Sequence, residues 1–221
     1  MMHNTPNMNK TFLNDKYFLK SLLVSILLFV LSLVFFNLTD LYTNRHSGNP
    51  VSDIVLDNVP LINLYGIYIY GPILIWIILL IVCFAKPHSF PFVLKSLSLL
   101  ILVRSVFTCI THIGPPNHEV VTGQSALFSI IIKQIDFSGD LFFSGHTGCP
   151  FLMGLIFWPY LRLRVIFISA SILFGIVVLA CHVHYSIDVL AAFFISHSVY
   201  HISKKLFARD YDYFVQGTQG D

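Results

Sequence analysis

Long apolar runs recur along this chain, broken by short polar stretches. Six of them, at residues 17–38, 65–85, 91–113, 142–161, 163–181 and 185–202, approach or exceed the length that a bilayer core demands of a helix, about 20 residues. The pattern predicts an all-α integral membrane protein with six transmembrane helices. Residues 1–16 and 204–221 are expected to be short tails and residues 17–203 one membrane domain. No internal repeat or low-complexity segment breaks this plan. The first run is flanked by Lys10, Lys16 and Lys20, but no alanine occurs before Ala85 and no A-x-A site follows it, so it reads as a retained helix and not as a cleaved signal.

Composition makes the membrane reading firmer. Of 221 residues, 56% are hydrophobic and 11% charged, with a mean hydropathy of +0.76. Soluble domains carry about 25% charged residues, so most of this surface is expected to face lipid. Disorder, nucleic-acid binding and a disulfide scaffold are excluded as leading readings. Cys83, Cys109, Cys149 and Cys181 lie in or beside apolar runs, where a thiol serves as a small hydrophobe.

The positions of the charges give a direction. With the N-terminus inside, Lys10, Lys16, Lys20, Lys86, Lys95, Arg162, Arg164, Lys204, Lys205 and Arg209 all fall on the inner side, 10 of 13 basic residues. That bias predicts cytoplasmic termini. Only Arg45 and Lys133 fall outside, and Arg104 falls within the third span. The two long loops, residues 39–64 and 114–141, are then exoplasmic. A short apolar stretch at 126–132 is too short to span and reads as a loop lying along the interface.

Two segments at span ends carry the chemistry: Gly139-Asp140-Leu141-Phe142-Phe143-Ser144-Gly145-His146-Thr147 and His182-Val183-His184-Tyr185-Ser186-Ile187-Asp188-Val189. The fourth helix descends from His146, the Arg162/Arg164 turn reverses the chain, and the fifth climbs back towards His184. Both histidines therefore return to the outer face. His184 and Asp188 are four apart and share a face if the sixth helix begins near His184. A carboxylate holding one imidazole nitrogen leaves the other free as nucleophile or base. An acid on an apolar helix is costly and marks a functional candidate, although Asp188 could instead fasten two helices.

Ser144, Gly145 and Thr147 surround the start of an apolar helix, whose unpaired N–H groups attract an anion. His146 there is suited to proton transfer, with an ordinary imidazole pKa near 6.5. Arg104 costs about 2.5 to 3.5 kcal/mol within a span, so it should face a polar cavity, either to neutralise phosphate oxygens or to pair with Asp188. Asp140 could hold an ammonium headgroup or be a solvated loop acid. Tyr185, with Phe142 and Phe143, is the aromatic surface nearest the site.

Other histidines fit less well. His197 and His201 have a spacing that can bind zinc, but His197 lies about 180° around the helix from Asp188, and the pair reads as surface or interhelical histidines. His182 and His112 are weak candidates for headgroup or phosphate contact. Tyr65, Tyr68 and Tyr70, with Trp158 and Tyr160 at the other boundary, read as aromatic belts.

Gly139-Asp140 with Ser144-Gly145-His146-Thr147, then His184-Tyr185 with Asp188-Val189, resemble the third and fourth motifs of sphingomyelin synthases and their relatives in the type-2 phosphatidic acid phosphatase superfamily. Arg104-Ser105 with Thr111 and Pro115-Pro116 resembles the second motif. The first is only echoed, in Val59-Pro60-Leu61-Ile62-Asn63 or Ser52-Asp53. The resemblance implies six spans, an exoplasmic or periplasmic-facing site, phospholipid and lipid-alcohol substrates, no nucleic acid, and no metal or other cofactor. It implies transfer of a phospho-headgroup to ceramide or a similar acceptor through a phosphohistidine, with His184 as nucleophile, Asp188 as its orienting acid and His146 as proton donor and acceptor. Arg104, Ser144, Gly145, Thr147, Asp140 and Tyr185 would hold phosphate and headgroup. The phosphatase branch has Ser-Arg where this chain has Val178-Leu179 and proline where it has Phe143, which favours the synthase branch. A lipid phosphatase using water is the alternative, and a non-enzymatic transporter or scaffold lined by Arg104 and Asp188 is a third.

Overall fold

The computed structural model describes residues 15–46, 48–116 and 142–218. Asp140 and the 126–132 stretch lie outside the described residues. Among the described residues all regular structure is helical: α1 (Lys16–Arg45), α2 (Tyr65–Ala85), α3 (Phe90–Ile110), α4 (Gly145–Ile156), α5 (Leu161–Ala180), α6 (Ser186–Leu206) and α7 (Ala208–Thr218), with a 3₁₀ turn at Pro87–Ser89 leading into α3. α1 packs chiefly on α3, and α4 packs on α5 and α6.

Among the described residues, four helices are long and apolar enough to cross a membrane: Lys16–Arg45, Tyr65–Ala85, Pro87–Ile110 and Leu161–Ala180. The other two predicted spans differ from these for identifiable reasons. α4 has 12 residues, or about 18 Å of helix. It contains Gly148, Pro150 and Gly154 and ends ahead of the turn that carries Pro159. α6 has 21 residues, but Asp188, His197, His201, Lys204 and Lys205 dilute its apolar character.

The bundle is apolar outside and partly polar inside. α1 turns Leu23, Leu27, Leu31 and Leu38 outward, all more than half exposed, and buries Ser21, Ser25, Ser32, Thr39 and Thr43. Small residues let neighbouring backbones approach where lipid supplies no hydrophobic drive between helices. Their hydroxyls are satisfied locally: Ser25 donates to the Leu22 carbonyl, Ser32 to Phe29, Thr39 to Phe36 and Thr43 to Thr39. The main apolar core joins Phe92, Leu97 and Leu100 of α3 to Leu152 and Met153 of α4, Phe167 of α5 and Val199 of α6. Helix contact is close at Gly175, where a Cβ would lie 3.1 Å from Val189 Cγ1.

The segment expected as a C-terminal tail includes α7, which docks against the end of the bundle away from His146 and His184. Asp210, Phe214 and Gly217 of α7 are buried. Asp210 accepts hydrogen bonds from Tyr17 and Ser21 of α1 and pairs with Lys95 of α3 at 2.6 Å, with both charged partners buried. Asp15, the N-cap of α1, accepts from the Tyr213 hydroxyl and from the Tyr17 N–H. The Tyr213 bond and then the Tyr17 bond hold its carboxyl below the usual carboxylate range.

Candidate active site

Ser144 is the N-cap of α4, with extended backbone, and its Oγ accepts the Thr147 N–H at 3.4 Å. The residue before it, Phe143, has φ +29°, a left-handed conformation costly for a bulky side chain. Two contacts hold it. Its ring is completely buried in the core, and its carbonyl accepts the Arg104 Nε–H at 2.9 Å. A Cβ at position 145 would lie 3.3 Å from Arg104 Nη1, so Gly145 lets the guanidinium sit directly against the first turn of α4. The cation and the helix N-terminus thus reinforce one another as a site for negative charge.

The second half of the site forms at the start of α6. That helix begins at Ser186 with Tyr185 as N-cap, so His184 stands ahead of the helix and meets Asp188 through the cap. The Tyr185 N–H donates to Asp188 Oδ2 at 2.9 Å, and His184 Nδ1 lies 3.4 Å from the same oxygen. Asp188 is fully buried, and its Oδ1 has no hydrogen-bond partner among the described residues. The His184–Asp188 contact is longer than a good hydrogen bond. It directs Nδ1 to the carboxylate.

One backbone bond joins the halves: the Ser144 N–H donates to the Asp188 carbonyl at 3.1 Å. His146 is close enough to His184 and Arg104 for their charges to act on it. Its ring stacks on Tyr68 of α2, with centroids 4.6 Å apart and planes at 22°. Tyr68, expected as part of an aromatic belt, thus packs directly on a candidate site residue.

The remaining predicted residues are placed as follows. Thr147 is fully buried between α4 and α5, with its carbonyl accepting from Ser171. Tyr185 is 1% exposed and uses its hydroxyl as a tie, donating to the Gly114 carbonyl at 2.8 Å and accepting the Val51 N–H at 3.2 Å. His182, at φ +52°, has Nε2 3.1 Å from the Val59 carbonyl oxygen, which anchors the first loop to the α5–α6 turn. His112 is exposed beside Tyr42 and His46.

Asp53 was legible only as a faint motif echo, yet it binds the chain at Ser186, two residues beyond His184. Its Oδ2 accepts the Ser186 N–H at 2.7 Å, and its Oδ1 accepts from Val55 and Leu56. It therefore caps α6 from a loop 133 residues away in sequence. Burial pushes its carboxyl up, but the Ser186, Leu56 and Val55 bonds outweigh burial and hold it below the usual carboxylate value of 3.8. A depressed folded pKa gives stability that is complete above the ordinary carboxylate range and lost as pH falls through the lower folded value. Asp53→Ala is expected to destabilise the protein by about 1–2 kcal/mol and to lower kcat more than it raises KM. Melting in detergent and a kcat/KM split check this. An unchanged kcat would remove Asp53 from the positioning of His184.

Residues 138–205 match the family model described as PAP2 superfamily C-terminal. The matched segment contains both halves of the site, from Ser144 to Asp188, and the match supports the type-2 phosphatidic acid phosphatase superfamily, with its phosphatase or phosphotransferase type of activity. No curated protein and no solved structure matches the chain.

Proposed function

We propose that the chain is a sphingomyelin synthase-like lipid phosphotransferase, which moves a phospho-headgroup from a glycerophospholipid to a ceramide- or diacylglycerol-like acceptor. The observation that carries this reading is the meeting of the His184–Asp188 pair with Ser144-Gly145-His146, tied by one backbone hydrogen bond and flanked by Arg104.

In the first step His184 Nε2 attacks the phosphodiester phosphorus. A P–N bond forms, the bond from phosphorus to the glycerol oxygen breaks, and His146 gives that oxygen its proton. Asp188 steadies the positive charge that develops on His184. Arg104 and the N–H groups opening α4 hold the phosphoryl oxygens as charge builds on them. In the second step the acceptor hydroxyl loses its proton to His146 and attacks phosphorus, and the P–N bond breaks. His184 is regenerated. Side chains carry every step, so a chelator is expected to leave turnover unchanged.

Two features support the synthase branch over hydrolysis. Proline holds φ near −65° and could not take the +29° conformation of Phe143. Val178 is completely buried in an apolar core cluster, surroundings that suit valine and offer little to the polar Ser-Arg pair of the phosphatase branch. Six spans with cytoplasmic termini and an outward-facing site complete the reading. Ile187, Leu190 and Phe194, all more than half exposed along one side of α6, support placing that helix in lipid, and ten inner basic residues support the direction.

Incubating the purified protein with phospholipid labelled in its headgroup phosphate, with and without ceramide or another lipid alcohol, tests the assignment. The expected product is a new labelled phospholipid that appears only with the acceptor. Labelled water-soluble phosphate or phosphobase, formed at the same rate whether or not acceptor is present, would assign the chain to hydrolysis.

A further inference from the structure

At the opposite end of α6 from His184, His197 and His201 face one another with Nε2 atoms 3.2 Å apart. Both are exposed. They open on a cavity of about 340 Å³ between the end of α4, α6 and α7, whose walls include Trp158, Tyr200, Tyr211 and Phe214. We propose that this pair is a bidentate site for a borderline divalent transition metal of the zinc class.

The geometry carries the assignment. Zinc binds imidazole nitrogen at about 2.0–2.1 Å, so two nitrogens at the tetrahedral angle stand roughly 3.3–3.4 Å apart. The two Nε2 atoms are within about 0.2 Å of that separation, so a metal could enter with little movement of either ring. Two N–H groups cannot face each other at 3.2 Å, so at least one Nε2 presents its lone pair. With both rings neutral and protonated on Nδ1, both lone pairs converge on one point, the form in which histidine ligates metals. The i, i+4 spacing on one α-helix holds the two rings on one face.

No third His, Cys, Asp or Glu joins the pair among the described residues. The open coordination positions therefore belong to water, and the cavity has room for several molecules at about 30 Å³ each. The neighbouring Lys204 ammonium is held over the Tyr200 and Tyr211 rings, 5.3 and 4.6 Å from their centroids. The pair lies at the far end of α6 from the proposed reaction, and bound metal would staple the last turns of the helix that carries Asp188 at its start. Binding to the folded state alone raises stability with metal concentration.

The test uses the full chain in detergent, stripped with chelator and dialysed against micromolar free Zn²⁺. The wild type is expected to retain one more zinc per chain than His197→Ala, and zinc is expected to raise its melting temperature. His201→Gln, which keeps a polar side chain of similar length, should lose the same zinc and the same shift while melting like the wild type without metal. Equal zinc in wild type and both variants, or uptake only at millimolar zinc, would overturn the proposal.

Discussion

His184→Ala is expected to reduce headgroup transfer by roughly 10⁴-fold or more, the loss seen when an attacking side chain is removed from a site whose remaining groups still bind substrate. The fold should survive. His184 precedes α6, and the capping contacts of that helix run from the Tyr185 N–H to Asp188 and from the Ser186 N–H to Asp53. His146→Ala removes proton transfer but leaves the nucleophile, and about 10²–10⁴-fold is expected. Turnover of a labelled phospholipid, with helix content followed by circular dichroism, separates chemistry from folding. Full activity in either variant would contradict the assigned roles.

The largest expected effect on stability lies at the other end of the bundle. Lys95 and Asp210 are 7% and 4% exposed, their charges meet at 2.6 Å, and they join α3 to α7. Lys95→Met leaves a buried carboxylate with hydroxyl donors but no cation, and removal of one partner from such a pair costs about 3–5 kcal/mol. The double variant Lys95→Met with Asp210→Leu buries no charge and is expected to recover most of that loss. Unfolding of the single and double variants in detergent measures the coupling. A double variant as unstable as the sum of the singles would show that the pair does not act as a unit.

The membrane class and the four long helices were legible because long apolar runs encode them directly. The short α4 was harder to see. Counting apolar residues through 142–161 missed that Gly148, Pro150, Gly154 and Pro159 interrupt helical continuity. α7 was hidden for the opposite reason, since its buried face sets Phe214 beside an acid, Asp210, that is satisfied by partners far away in sequence. At the site, His146, His184 and Asp188 stood out as polar residues at the ends of apolar runs. His184 and Asp188 meet through a cap and not along a shared helix face, because α6 starts at Ser186, two residues after His184. Tyr68 and Asp53 were obscured because their contacts with the site depend on how α2 and the first loop fold over it, which no spacing within either segment reports. Arg104 was visible as a misplaced charge, but its bond to the Phe143 carbonyl follows from a left-handed turn that sequence does not announce.

A covalent intermediate is the centre of the proposed mechanism. The most direct measurement is rapid quenching, under alkaline conditions, of protein mixed with phospholipid labelled in the headgroup phosphate, followed by peptide mapping. The account predicts an acid-labile label on the peptide containing His184, absent from His184→Ala and discharged when a lipid alcohol is added. Turnover with no labelled protein at any quench time, or equal labelling of His184→Ala, would contradict it.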